Sequence, residues 1–298
     1  MNRVFVLGNA TIDVTMRMAA FPAPGETVLS DGVRRGPGGK GLNQAVAASR
    51  TGVAVTFVSP VGDDEAGRML RAFVSAEPGL EPRWIPSGQP TDMSVIWVAG
   101  DAENMIVSSA DSARTLDALR VPALLDGIGN ADMLLVQGNL SAETTLAACR
   151  LAKDAGARVM INPAPLAWDM HDILPLADVL ICNLPEALAI TGESGEAAAR
   201  LLSEATGGTV ILTLGASGAL LVSDGDRTAI PATFTDAVDT SGAGDTVAGV
   251  AAAALTLGRS AADALRVGMW AAAVTVTRPG TLSAFPSAAE MRRICATP

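Results

Sequence analysis

Asp239-Thr240-Ser241-Gly242-Ala243-Gly244-Asp245 runs directly into Thr246-Val247-Ala248-Gly249-Val250-Ala251-Ala252-Ala253-Ala254-Leu255, and the pair reads as a glycine turn opening an apolar helix. The first N–H groups of a helix have no intrahelical partner, and the helix dipole adds positive potential there, so such a turn is an anion site. Carboxylates flank it: Asp239 before the turn, Asp245 at its last position. An acid beside an anion-binding turn suits phosphoryl transfer, in which the amides of Gly242, Ala243 and Gly244 hold the migrating phosphate and Asp245 takes the proton from the attacking hydroxyl. The plainer reading of Asp245 is a helix-capping acid.

A second glycine cluster, Gly36-Pro37-Gly38-Gly39-Lys40-Gly41-Leu42-Asn43-Gln44, also opens a helix. Its spacing is neither that of a Walker loop nor that of the dinucleotide fingerprint. Its glycines allow close approach of backbone to ligand, and Asn43 offers a donor and an acceptor to hydroxyls.

Outward from these turns, apolar strands (Val4–Leu7, Val55–Ser59, Met133–Gln137, Val159–Asn162, Val179–Cys182, Val210–Leu214) alternate with helical patterns (Leu42–Arg50, Ala66–Ser75, Ala142–Ala155, Glu196–Glu204). Continuous apolar strands separated by helices predict a parallel sheet covered on both faces. Helices over Thr246–Leu257, Ala261–Val276 and Ser287–Ile294 close the chain. Two stretches break the rhythm. Asp13–Arg35 carries Pro22, Pro24 and Gly25, and Asp92–Ser109 reads as a hairpin turning at Gly100-Asp101-Ala102-Glu103 with one apolar face. A two-stranded ribbon cannot bury that face alone, so it covers a cleft or pairs with another subunit.

Composition narrows the classes. The chain has 298 residues, 49% of them hydrophobic, and a net charge of −10 without a basic tract, which argues against a nucleic-acid partner. No apolar run reaches the roughly 18 residues of a membrane helix, and Met1–Gly8 reads as a strand rather than a signal peptide, so a cytoplasmic protein is expected. Three cysteines lack metal spacing, with Cys149 and Cys182 expected as reduced core residues. The one histidine, His171, has no partner at zinc-ligand spacing and reads as a surface residue.

Together the two glycine clusters carry a resemblance to the ribokinase-type sugar kinases, the PfkB family of carbohydrate kinases. Phe21-Pro22-Ala23-Pro24-Gly25-Glu26-Thr27, Val61-Gly62-Asp63-Asp64, Asn162-Pro163-Ala164-Pro165, Asn183-Leu184-Pro185-Glu186 and Thr213-Leu214-Gly215-Ala216-Ser217-Gly218 are similar to family elements and occur in family order. The resemblance implies a single domain over residues 1–298: an α/β/α sandwich with a mainly parallel sheet and a small β-sheet lid from segments 13–35 and 89–110, which often clasps a second copy into a homodimer.

It also implies an ATP-dependent kinase acting on a primary hydroxyl of a small sugar. Asp245 and the Gly242–Gly244 turn would be catalytic. Asp13, Gly39, Lys40 and Asn43, with Thr11 and Asn139, would meet the acceptor. Asn183, Thr213, Gly215 and Gly218 would meet the nucleotide, and Met269 and Trp270 fall near the adenine position, although core packing is the plainer role of Trp270. Glu186 would act through water on magnesium, while spacing alone reads Asn183 and Glu186 as a capping pair. Asp239, Ser241, Arg278 and Gly280 would surround potassium. Three positions depart from the pattern of ribokinase itself: Thr11 stands for Asn, Asn139 for Glu, and Ala284 for a hydroxyl residue. The first two put ribose in question and leave another sugar or a nucleoside open; the third does the same for potassium. Arg34-Arg35 is the nearest basic pair for an acceptor already carrying phosphate. A sugar-sensing protein without catalysis is the non-enzyme alternative.

Overall fold

The computed structural model describes residues 2–100, 103–223 and 225–296, so Asp101 and Ala102 of the expected hairpin turn lie outside the described residues. Among the described residues, thirteen strands form two sheets. The large sheet contains β1 (Arg3–Leu7), β4 (Ala54–Val61), β5 (Leu80–Pro86), β8 (Met133–Gln137), β9 (Arg158–Asn162), β10 (Val179–Asn183), β11 (Thr209–Thr213), β12 (Ala219–Ser223) and β13 (Asp226–Ile230). The small one contains β2 (Thr11–Arg17), β3 (Val33–Gly38), β6 (Met93–Val98) and β7 (Asn104–Ser108).

In the large sheet the order is β13-β12-β11-β10-β9-β8-β1-β4-β5. All neighbours from β5 to β11 are parallel; β12 and β13 continue antiparallel. From β1 the chain builds outward through β4 and β5, then returns to the other side of β1 at β8. That reversal opens a crevice beyond the carboxyl ends of β1 and β8, where ligands bind in open α/β sheets.

Alternation along each strand splits the core in two. Val4, Val6, Phe57, Leu135, Met160 and Ile211 face one side, under α1 (Lys40–Ser49), α7 (Ala243–Thr256) and α8 (Ala261–Val276). Phe5, Leu7, Val58, Leu134, Val136 and Leu180 face the other, which also buries Ala148 and Ala152 of α4 (Ala142–Asp154) and Ala198 and Leu202 of α6 (Gly195–Thr206). Helices α2 (Glu65–Ser75), α3 (Val121–Leu124), α5 (Leu184–Thr191) and α9 (Ala288–Ala296) complete the layers. No helix of the described residues is long and apolar enough to cross a membrane.

Several expectations are corrected in detail. The sheet gains β5, whose polar Glu81 and Arg83 mask its apolar pattern, and the antiparallel pair β12–β13. The small sheet extends beyond segment 13–35, from Thr11 to Gly38, because β2 pairs with β3 antiparallel and with β6 parallel. The β6–β7 hairpin forms, yet β7 has no single covered face: it is the free edge, and Met105, Ile106 and Val107 are all exposed. Trp270 is not in the core. Helical phase buries Val267, Gly268, Ala271 and Thr275 of α8 and leaves Trp270 41% exposed, whereas Met269 packs against the core. Cys149 and Cys182 are buried, and desolvation pushes the Cys149 thiol up to about 12. His171 lies at the surface beside Asp169.

Arg50, at the end of α1, ties this layer together. It pairs with Glu77 at 2.6 Å and also donates to the carbonyls of Leu282, Phe285 and Pro286. Both side chains are largely buried. Arg50→Met is expected to cost about 3–5 kcal/mol, because Glu77 loses its counter-charge; a urea denaturation midpoint equal to wild type would contradict that.

Candidate active site

Several helices open with a side-chain cap: Asp64 accepts from Gly67 N at α2, Ser141 from Thr144 N at α4, and Ser260 from Asp263 N at α8. The glycine-opened helices α1 and α7 have none. At α7 the first residue outside is Gly242, in the left-handed region at φ 78°, and an added Cβ would meet the Phe285 ring at 2.7 Å. Only glycine fits that combination. Among the described residues, the amides of Gly242, Gly244 and Asp245 have no partner, while that of Ala243 donates to Thr240 O at 3.3 Å. Sequence reasoning assigned all of Gly242–Gly244; the structure engages Ala243 weakly and adds the amide of Asp245.

Asp245 sits on the first turn of α7, buried. Asn43 Nδ2 donates to its Oδ2 at 2.8 Å and Gln44 Nε2 to its Oδ1 at 2.9 Å, both from α1. Lys40 Nζ stands 4.0 Å from Oδ1, too far for a hydrogen bond. Gln44 also donates to Asn162 Oδ1 at 2.9 Å and accepts from Gln137 Nε2 at 2.8 Å, so the carboxylate is tied to the ends of β8 and β9. Sequence reasoning missed Gln44, Gln137 and Asn162 as site residues. The first adjoins Asn43 and the last lies within the Asn-Pro-Ala-Pro element, but side-chain amides at these positions carry no signal until the topology stacks them.

Around the β1–β8 crevice stand further polar groups. Asn139, just past β8, is buried with Oδ1 unpartnered, and Asn43 Oδ1 is likewise unpartnered and buried. Buried acceptors without donors are costly, by about 1–3 kcal/mol each, so this pair fits a hydroxylated ligand. On β2, Asp13 is buried and accepts from Thr11 Oγ1 at 2.7 Å. Ser108 donates to Ser94 and Ser94 to Thr11, a line of hydroxyls crossing β7, β6 and β2. The Asp13 carboxylate lies directly on the backbone of Gly38, where a Cβ would meet Oδ2 at 2.0 Å. Burial raises the Asp13 pKa to about 6, against the hydroxyl hydrogen bonds and with the Asp245 charge adding. Gly39, which precedes α1, and the half-buried Lys40 complete the first glycine turn.

At the far end of the sheet, Asn183 and Thr213 are register partners at the ends of β10 and β11, and the turn Gly215–Ser217 with Gly218 follows. Across this turn β11 and β12 pair antiparallel. Asn183 and Glu186 form a capping box at α5, with Asn183 Oδ1 accepting from Glu186 N at 2.8 Å and Glu186 Oε2 from Asn183 N at 3.0 Å. Burial raises the Glu186 pKa, and the nearby charges of Lys40 and Asp245 act in opposite senses. Among the described residues no three acids, histidines or cysteines cluster at metal-ligating geometry.

Asp239 joins two loops: Ser241 N donates to Oδ1 at 3.0 Å and Gly280 N to Oδ2 at 2.9 Å. Arg17 of β2 pairs with Oδ2 at 3.1 Å. The Arg278 side chain turns away to Glu290. A cleft of about 700 Å³ opens between the small sheet and the 278–290 segment, lined by Asp13, Arg17, Arg34, Asp239 and Gly280 among others; Asp245 lies outside its lining.

The Asp13 carboxyl is expected to titrate near pH 6 by carbon-detected NMR, and Thr11→Val to move the midpoint higher by removing a bond to the ionised form. Because the folded value exceeds the ordinary 3.8, folded protein binds the extra proton, so this group costs stability as pH rises from about 4 to about 6. A midpoint near 4 would contradict the burial assigned to it.

Residues 1–288 match the pfkB family carbohydrate kinase. The chain is 34% identical to the ribokinase of Haemophilus influenzae over 294 residues, 96% of this chain and 95% of that one. Among solved structures, Giardia lamblia ribokinase superposes with a TM-score of 0.88 at 27% identity, covering 98% of this chain and 99% of that one. The ribokinase of Cryptococcus neoformans var. grubii serotype A, solved in complex with ADP, gives 0.85 at 28%, covering 98% of both. The match over nearly the whole chain shows that it belongs to the pfkB family of carbohydrate kinases, enzymes that phosphorylate sugars with ATP.

Proposed function

We propose that Asp245 is the general base of this sugar kinase. The acceptor hydroxyl gives its proton to Asp245 while its oxygen bonds to the γ-phosphorus of ATP. The bond from that phosphorus to the β-phosphate bridging oxygen breaks, and ADP leaves. The amides of Gly242, Gly244 and Asp245, with the weakly held Ala243 amide, receive the charge on the phosphoryl oxygens. The carrying observation is the pairing of that amide turn with an acid whose direction is fixed by Asn43 and Gln44.

Asn183, Thr213, Gly215 and Gly218, at the carboxyl ends of β10 and β11, are the residues for nucleotide, consistent with the ADP found in the Cryptococcus ribokinase. Magnesium fits here only through water and phosphate oxygens, because Glu186 is an isolated acid already engaged with Asn183; when bound, the ion neutralises phosphate charge. Asp13, Asn43 and Asn139, assisted by Thr11, Gly39 and Lys40, take the acceptor. The unpartnered Asn43 and Asn139 acceptors and the buried Asp13 favour a small free sugar rich in hydroxyls. The whole chain acts as one unit, with the small sheet as its lid. Reduced, buried cysteines suit a cytoplasmic setting.

We also propose that the lid pairs with a second copy. Edge strand β7 presents Met105, Ile106 and Val107, and β6 adds Met93, an exposed apolar rim that a pairing strand would cover.

Asp245→Ala is expected to lower kcat by about 10²–10⁴-fold with ATP affinity retained; turnover near wild type removes the base assignment. A coupled ADP assay over pentoses, hexoses and nucleosides is expected to give the highest kcat/KM with a free monosaccharide, and preference for a nucleoside would move the acceptor class. Val107→Glu is expected to convert a dimer to monomer in sedimentation, whereas a monomeric wild type would refute the pairing.

A further inference from the structure

Resemblance to the family brings potassium to Asp239, but with Arg17 in place the residues present do not fit it. Both Asp239 oxygens already accept N–H donors, from Ser241 and Gly280, and Oδ2 in addition faces a guanidinium nitrogen of Arg17 at 3.1 Å. Nearby, Ala284 is fully buried and offers no oxygen from its side chain. A free cation competing for this carboxylate would first have to displace a tethered one.

We infer that Arg17 is the cation of this site: its guanidinium stands in place of a diffusible monovalent ion and makes turnover independent of potassium. Asp239 is only 3% exposed, and the Arg17 guanidinium at 3.1 Å supplies the counter-charge beside it. A guanidinium supplies that charge at fixed stoichiometry, with planar directional donors rather than a shell of oxygens. The location matters for the chemistry, since the Asp239 carboxylate binds the amide of Ser241, immediately before the Gly242–Gly244 turn, and the amide of Gly280, whose neighbour Thr281 lies with Phe285 against Gly242. Neutralised Asp239 therefore sets where the anion-binding amides point.

Arg17 also does something a free ion does not. It lies on β2 four residues beyond Asp13, on the same face of the strand, since side chains repeat every two residues. Both line the cleft between the small sheet and the 278–290 segment. One strand of the lid thus carries the acid proposed for the acceptor and the cation that holds the amide turn. Arg17 is a positioning residue, acting through Asp239.

The inference rests on the amide turn being the phosphoryl site, and its test separates the two. Turnover of wild type is measured in potassium, sodium and tetramethylammonium chloride at constant ionic strength, beside Arg17→Ala and Arg17→Lys. Wild type is expected to work equally in all three salts. Arg17→Ala is expected to lose about 10²-fold in kcat, as for a displaced catalytic group. Potassium or millimolar guanidinium is expected to restore about fivefold or more, the size of an ordinary coupling between sites. Arg17→Lys, keeping a charge, is expected to lose less. The melting temperature gives a reading free of activity: indifferent to potassium in wild type, raised by it in Arg17→Ala. Strong potassium activation of wild type, an Arg17→Ala enzyme with undiminished kcat, or a loss that neither ion reverses each overturns the inference. Catalysis lost in Asp245→Ala but potassium-responsive melting in Arg17→Ala would leave both readings standing.

Discussion

A buried carboxylate has to be hydrogen-bonded, and among the described residues Asp245 finds its donors on another helix. Asn43 and Gln44 reach it from α1, which requires α1 and α7 to lie close enough for side-chain amides to span the gap. Small residues allow it: Ala45 and Ala48 on one helix and Gly249 on the other are buried, and a Cβ at Gly249 would meet Gln44 O at 2.3 Å. Gln44 then passes the constraint to Gln137 and Asn162 at the ends of β8 and β9. Leaving any one of these amides unmatched costs on the order of 1–3 kcal/mol. The arrangement of layers and the direction of one acid are thereby the same problem, solved once.

Capping shows the same division of labour between stability and chemistry. Asp64, Ser141 and Ser260 satisfy amides at the starts of α2, α4 and α8. At α7 the residue in the capping position is a glycine without a side chain, so amides stay available to an anion. The α5 box serves both ends: it closes a helix start and, in doing so, presents the Glu186 carboxylate toward the same region of charge as Lys40 and Asp245. Charge is balanced locally around this region, with Arg17 on Asp239, Arg50 on Glu77 and Arg278 on Glu290, although the chain as a whole carries −10.

Much of this was legible in the sequence, for physical reasons. Strands buried on both faces announce themselves as apolar runs, and glycine turns before apolar helices mark uncapped starts; hence β1, β8–β11, α1 and α7 and the acid Asp245 are read directly. β5 is not, because charged Glu81 and Arg83 interrupt the apolar run of an edge strand, Arg83 being held by the Leu124 and Asp126 carbonyls. Trp270 misleads because a large apolar side chain within an apolar helix suggests core, and only the helical phase against α7 decides otherwise. Gln44, Gln137 and Arg17 were invisible for a different reason. Their roles depend on partners more than ninety residues away, at separations of 93 for Gln44–Gln137 and 222 for Arg17–Asp239, and nothing local distinguishes them from a core amide or a surface base.

The central claim is that amides at the start of α7 and the acid they adjoin together meet the phosphoryl group in flight. The most direct measurement is a crystal structure with ADP, magnesium, a planar metal-fluoride mimic of the transferring phosphoryl and the acceptor sugar. The account predicts fluorides about 2.7–3.1 Å from the amides of Gly242, Gly244 and Asp245, with an Asp245 oxygen on the acceptor hydroxyl. A metal fluoride bound elsewhere, or an acceptor hydroxyl out of reach of both Asp245 oxygens, would contradict it.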